Sequence, residues 1–142
     1  MKKAFKLSPE EYNKILKNIE LMNISIIKTQ AEIDRNIVSG KLNINTKSRV
    51  KFTQDDKSLN VIYSYNLLLF IPEKNVKVAL IKVNFEIIFI KLKKIEISQD
   101  FFEIFKEVSL KYTLWPYFRE FVQNMILRMN LPPLTLPMVK AI

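Results

Sequence analysis

The sequence lacks several residue types on which common catalytic and nucleotide-binding sites depend. Its 142 residues include no histidine, no cysteine and one glycine. Without imidazole or thiol groups the chain cannot form a Ser-His-Asp triad, a Cys-His nucleophile or a zinc finger. Gly40 alone cannot supply a P-loop or a dinucleotide fingerprint, because each needs several glycines. We therefore expect no enzymatic activity, no metal and no cofactor.

Long apolar segments are also missing from the sequence. The longest uninterrupted apolar run, residues 67–71, is far shorter than the roughly 18 residues that a membrane helix requires. The basic residues 1–7 are followed at once by Ser-Pro-Glu-Glu at 8–11, where a signal peptide needs an apolar stretch. We therefore expect a single cytoplasmic domain over residues 1–142, with no insertion into a membrane.

Positive charge predominates and is concentrated in the middle of the chain. Twenty-three Lys and Arg oppose fourteen Asp and Glu, and residues 46–98 alone carry ten basic and five acidic side chains. Single-stranded nucleic acid is the alternative partner, because basic sheets with exposed aromatic residues bind phosphates and stack bases. The aromatic residues of this region occupy apolar positions of alternating segments, however, and the lysines are scattered, so we favour a core and a solvated surface. The aromatic residues are Tyr63, Tyr65, Phe85 and Phe89.

Hydrophobic periodicity predicts a short N-terminal helix and then four strands. Apolar residues first repeat at helical spacing and then at a period of two. The predicted elements are a helix after Ser8 and strands from Leu21, around Val50 and Phe52, over Val61–Ile71 and over Ala79–Phe89. Residues 53–58 and Pro72–Asn75 are the predicted turns between the later strands, which makes the carboxylates Asp55-Asp56 turn residues rather than an acid–base pair. Strands joined by short turns indicate an antiparallel sheet.

The C-terminal third predicts two amphipathic helices and an extended tail. One of residues 98–100 caps the first helix. The second helix begins near Thr113 with Pro116 in its first turn, and it ends near Asn130 before a proline-rich tail. The apolar stripe of the first helix is Phe101, Phe105, Val108 and Tyr112. Strands followed by helices define an α+β fold.

Two pieces of this third resemble a characteristic stretch of the SecB family, the bacterial protein-export chaperones. They are Leu-Trp-Pro-Tyr-Phe-Arg-Glu at 114–120 and Leu-Pro-Pro-Leu-Thr-Leu-Pro at 131–137, with Arg128 where the family has a helix-end arginine. The resemblance implies a four-stranded antiparallel sheet with the C-terminal helices on one face, and a homo-oligomer built as a dimer of dimers. It also implies an ATP-independent holdase that binds unfolded polypeptide in apolar grooves. Its client would be an exported protein or a dedicated client such as an antitoxin.

The resemblance leaves the SecA motor open as a partner. Classical members are acidic on the sheet face that meets SecA and continue into a tail that contacts it. Here the sheet half is positively charged, and the sequence ends at Ile142.

The resemblance also implies roles for two sets of apolar residues. The stripe of the second helix is expected at a subunit interface, with the core as the other interpretation: Leu114, Phe118, Phe121, Val122, Met125 and Met129. The second set is expected to bind clients, although an ordinary core position would suit each residue equally well: Phe101, Phe102, Phe105, Trp115, Leu131, Leu134 and Leu136.

Overall fold

The computed structural model describes residues 7–37, 41–73, 75–132, 134 and 136–137. Its helices and strands are α1 Pro9–Leu16, β1 Ile19–Ile33, β2 Asn43–Gln54, β3 Ser58–Ile71, β4 Val76–Lys91, α2 Gln99–Phe105 and α3 Lys111–Arg128. A short 3-10 turn, Arg35–Ile37, follows β1, and a π-helical turn, Lys106–Leu110, joins α2 to α3. The predicted α+β fold with a short N-terminal helix, four antiparallel strands and C-terminal helices is confirmed.

The four strands form one antiparallel sheet in the order β1-β4-β3-β2. The two strands that come first in the sequence therefore lie at opposite edges, and the β3–β4 hairpin fills the centre. Asp55 begins the turn between β2 and β3, and its Oδ1 accepts hydrogen bonds from the amides of Lys57 and Ser58 at 2.8 Å each. These bonds hold the pKa of Asp55 below its usual value. Asp55 is thus a turn residue, as its position predicts.

Alternation along β3 and β4 gives the sheet one buried face, which we call the helix face because α2 and α3 cover it. Every second residue of each strand is buried there, as the period-two pattern predicts. The buried residues of this face are Leu59, Val61, Tyr63, Tyr65, Leu67, Leu69 and Ile71 on β3, and Ala79, Ile81, Val83, Phe85, Ile87 and Phe89 on β4. Val78, next to Ala79, is buried as well. The aromatic residues considered for base stacking are therefore in the core, which confirms that interpretation.

The C-terminal helices differ from the prediction in two respects. They are joined without a break, so Pro116 lies inside α3 rather than in a first turn. The predicted stripe is also wrong after Phe105, because Val108 is exposed and the buried residue is Leu110. A π-helical turn holds about one residue more than an α-helical turn. It therefore moves the buried stripe by five residues, from Phe105 to Leu110, before the four-residue spacing resumes at Leu114.

Strand β1 is an edge strand whose alternation is interrupted twice. Its pairing with β4 shifts between Leu21 and Asn23 and again between Ile26 and Lys28. Each shift inserts one residue that has no partner in the register. The strict two-face alternation predicted for this strand is therefore wrong, and the apolar residues around both irregularities are exposed.

The side chain of Gln54 ties the end of β2 to the segment before α2. Its Nε2 donates to the carbonyl of Ile97 at 2.8 Å, and its Oε1 accepts from the amide of Ile97 at 2.7 Å. The ammonium group of Lys91 also donates to Gln54 Oε1, at 2.8 Å. Because Ile97, Phe101 and Phe102 are buried in the core, these hydrogen bonds fix α2 relative to the edge strand β2.

Candidate functional site: a groove between an edge strand and the helices

An open groove of about 690 Å³ lies between β2 and the C-terminal helices. Its volume is within the range of about 300–1,000 Å³ that is typical of ligand-binding clefts. We call it the β2 groove. Its lining residues are Thr46, Lys47, Ser48, Arg49 and Val50 of β2, Tyr63 and Tyr65 of β3, and Lys106, Glu107, Lys111 and Trp115 of the helices.

The floor of the β2 groove is aromatic. Tyr65 stacks on Phe118 of α3 with ring centroids 4.3 Å apart and planes within 8°, and Tyr63 stacks on Tyr65 at 4.8 Å. The indole of Trp115 adds a wall 6.1 Å from Tyr65. Burial is the main cause that raises the pKa of Tyr65, so its phenol stays neutral over the physiological range. The floor is therefore uncharged and held in place by packing, with Tyr63 and Tyr65 6% and 3% exposed.

One wall of the groove is the outer edge of β2. The strand pairs with β3 on one side only. Within the described ranges, the backbone amides and carbonyls on its other side have no neighbouring strand. Ser48 pairs with Tyr65 and Val50 pairs with Tyr63, which places both side chains on the helix face. An unpaired edge beside an apolar floor can accept an extended peptide as an additional strand.

The tail that follows α3 lies against the same helix. Arg119 Nε donates to the carbonyl of Leu136 at 2.8 Å, and Trp115 Nε1 donates to the carbonyl of Pro137 at 2.6 Å. A smaller cavity of about 260 Å³ separates the start of the tail from Ile44 of β2. The protein thus already holds Leu136 and Pro137 of its own tail through their backbone carbonyls.

We expect Arg119→Ala to loosen the tail, since a hydrogen bond from a charged group to a part-buried carbonyl contributes about 1.5–3 kcal/mol. Hydrogen–deuterium exchange over residues 130–137 should then be about ten- to a hundredfold faster than in the wild type. Arg128→Ala is the matched control, because Arg128 donates to Asn124 on the helix surface. Equal exchange in the two variants would contradict this role of Arg119.

The structure places most of the predicted client-binding residues in the core. Phe101 stacks on Tyr12, and Phe102 packs 4.2 Å from Phe52 between ring centroids. The buried members are Phe101, Phe102, Phe105, Leu131 and Leu136, while Trp115 and Leu134 are partly buried. The three phenylalanines therefore occupy core positions in the single chain. Trp115 alone of the set lines the β2 groove.

The predicted interface stripe also faces inward. Leu114, Phe118 and Val122 lie on the side of α3 that faces the sheet and are fully buried, and Met129 is buried just after the helix ends. Phe121 and Met125 are partly buried beside them. The first three side chains therefore complete the core of a single chain.

An apolar patch on β1 was missed by the sequence analysis. Leu21, Met22, Ile26 and Ile27 are each about half exposed or more along this edge strand. Ile26 pairs with Phe85, whose ring contacts Tyr117 of α3. Ile26 and Ile27, adjacent in the sequence, were the available signal for such a patch. Neighbouring side chains of a strand point to opposite faces, so a sheet with one buried face cannot bury both. We call these four residues the β1 edge patch.

Other kinds of site are not found in the part of the chain that the structure describes. No group of three or more carboxylate, histidine or cysteine side chains there could hold a metal ion. No helix within the described ranges is long and apolar enough to cross a membrane.

Comparison with known proteins identifies the fold. The sheet order with the helices on one face is the architecture of a SecB-like chaperone. The solved structure that shows it is the Mycobacterium tuberculosis Rv1957 SecB-like chaperone in complex with a ChAD peptide from the Rv1956 HigA1 antitoxin. It superposes with a TM-score of 0.77 and 20% identity, covering 92% of this chain and 98% of that chain. The likeness shows that the two proteins share a fold.

A protein of unknown function from Streptococcus agalactiae is 12% identical, with a TM-score of 0.43, over 84% of this chain and 96% of that chain. No family model matches the sequence, and no curated protein matches it.

Proposed function

We propose that this protein is an ATP-independent chaperone that binds unfolded polypeptide in the β2 groove. The observation that carries the proposal is the combination of an unpaired strand edge and a rigid aromatic floor in a SecB-like fold. Backbone pairing with β2 is independent of client sequence, and burial of apolar client side chains contributes about 25 cal/mol per Å². These two contributions suit a holdase that keeps a client extended without chemistry or nucleotide.

A dedicated client is the form of this function that we favour. The SecB-like chaperone of M. tuberculosis is bound to a peptide from an antitoxin, which supports a client of that kind. General protein export is the other form, and it would require the SecA motor, for which the positively charged sheet half offers less support than an acidic one. We propose that the protein works in the cytoplasm.

We further propose that the subunits assemble as a dimer of dimers in which the β1 edge patch takes part. An exposed edge strand with apolar side chains is a template for pairing with another chain. This assignment replaces the stripe of α3, whose central residues are occupied in the core.

The proposal predicts that the protein suppresses aggregation of chemically denatured citrate synthase at stoichiometric ratio and without ATP. Ser48→Trp should reduce this protection several-fold, because Ser48 is exposed and points into the β2 groove, where an indole would occupy the client's place. Light scattering measures the effect, and circular dichroism checks that the variant is folded.

Thr53→Trp is the matched control for Ser48→Trp, because Thr53 does not line the groove. It lies on the same strand, is exposed, and points away from the groove because side chains alternate along β2. Absence of protection by the wild type at several-fold excess would overturn the proposed function. Equal protection by both variants would place the client elsewhere.

A further inference from the structure

A row of three cations follows the outer side of β2. Lys47 and Arg49 border the β2 groove where it meets the strand edge. The side chains of Lys47, Arg49 and Lys51 nevertheless share the opposite face of the sheet, because they alternate with those of Ser48 and Val50 on the helix face. All three are exposed. Their partners across the pairing with β3 are uncharged, namely Asn66, Ser64 and Ile62.

These three cations are not neutralised within the described part of the chain. The ion pairs found there join Lys94 to Asp56 and Lys106 to Glu103, and none includes a residue of the row. Like charges at alternate positions of one strand repel each other. The row is therefore complementary to carboxylates on whatever strand lies next to β2.

The geometry of strand pairing decides where those carboxylates must lie. A client strand added to the edge of β2 has side chains that point alternately to the helix face and to the opposite face. Those on the helix face meet the aromatic floor at Tyr65 and the wall at Trp115. Those on the opposite face lie beside the row of cations.

We propose that the β2 edge selects client segments in which acidic residues alternate with apolar ones. This inference rests on the proposed chaperone function and specifies its client. Each cross-strand pair of opposite charge stabilises the added strand modestly, and three together are expected to raise affinity about tenfold. Lys111, on the far wall of the groove, adds positive potential on the helix side.

A peptide fits this surface better than a single-stranded nucleic acid does. Base stacking needs an aromatic face within reach of the bound phosphates. The row lies on the face of the sheet opposite the aromatic floor, so phosphates bound to it would leave the bases far from that floor. The strand edge, by contrast, matches a peptide backbone.

The test compares short fluorescent peptides in which valine alternates with glutamate, glutamine or lysine, measured by anisotropy. The glutamate peptide should bind about tenfold more tightly than the glutamine peptide, and the difference should shrink as salt screens the charges. The triple variant Lys47→Glu, Arg49→Glu, Lys51→Glu should reverse the order and favour the lysine peptide. All three positions are exposed, so the variant is expected to fold.

The control variant is Lys14→Glu, Lys77→Glu, Lys93→Glu, which changes the net charge by the same amount at positions away from β2. It should bind the glutamate peptide more tightly than the glutamine peptide, as the wild type does. Equal affinity for the glutamate and glutamine peptides, with citrate synthase still protected, would overturn this inference and leave the chaperone function standing. Loss of protection as well would overturn both. A third outcome is that no peptide binds, whereas a thymidine oligonucleotide binds tightly to the wild type and not to the triple variant. In that case the row of cations binds nucleic acid, and the inference is overturned.

Discussion

Phe118→Ala should lower the free energy of unfolding by about 3–5 kcal/mol, the range found when a buried phenylalanine is truncated. Phe118 is fully buried, and its ring lies parallel to Tyr65 and 5.7 Å from the ring centroid of Trp115. The loss would be a large part of the roughly 5–15 kcal/mol that stabilises a domain. Urea denaturation followed by circular dichroism measures it.

The neighbouring residue provides the control for Phe118→Ala. Tyr117 is 49% exposed and touches Phe85 edge-on at 6.3 Å, so Tyr117→Ala should cost about 1 kcal/mol. Equal losses for the two variants would show that Tyr65 and Phe118 do not form the centre of the packing. Because Tyr65 is also the floor of the β2 groove, folded Phe118→Ala protein should protect clients less well than folded Tyr117→Ala protein.

The sheet could be predicted from the sequence because its central strands have one buried face. Each of the alternate residues from Val61 to Ile71 is apolar, and the structure buries all of them. The cap of α2 was readable to within three residues, 98–100, and the structure selects Ser98, whose hydroxyl accepts from the amide of Phe101 at 3.1 Å. Both signals are local, and neither depends on which strands become neighbours.

The phase of the C-terminal helix could not be predicted. Val108 and Leu110 are both apolar, so the sequence is compatible with either as the buried residue. The π-helical turn selects Leu110 because the stripe must meet the sheet on both sides of the junction. Regular α-helical spacing contains no signal for such a turn.

The candidate site was predicted only in part, for a reason of topology. Large apolar residues of α2 were the natural candidates for binding clients, yet Phe101 and Phe105 complete the core. The groove depends instead on small polar residues such as Thr46 and Ser48, which leave room beside the aromatic floor. The sequence carries no local signal for them, because the position of β2 at the edge is set by long-range strand order.

The same strand order exposes the opposite edge, where assembly can be tested. Leu21, Met22, Ile26 and Ile27 are 51%, 69%, 48% and 50% exposed on a strand of 15 residues. Native edge strands usually carry charges or prolines that prevent pairing with other chains. The exposed apolar residues along this edge fit the assembly through β1 that we propose.

The double substitution Ile26→Lys, Ile27→Lys should prevent that assembly. An unpaired charge within an apolar contact costs about 3 kcal/mol or more, so the dissociation constant should rise by at least about a hundredfold. Light scattering after size exclusion should give a tetramer for the wild type and a smaller mass for the variant. Ile44→Lys is the matched control and should leave the mass unchanged. Ile44 is 37% exposed and lies on the other edge strand, β2. A monomeric wild type, or a double variant that keeps the wild-type mass, would contradict assembly through β1.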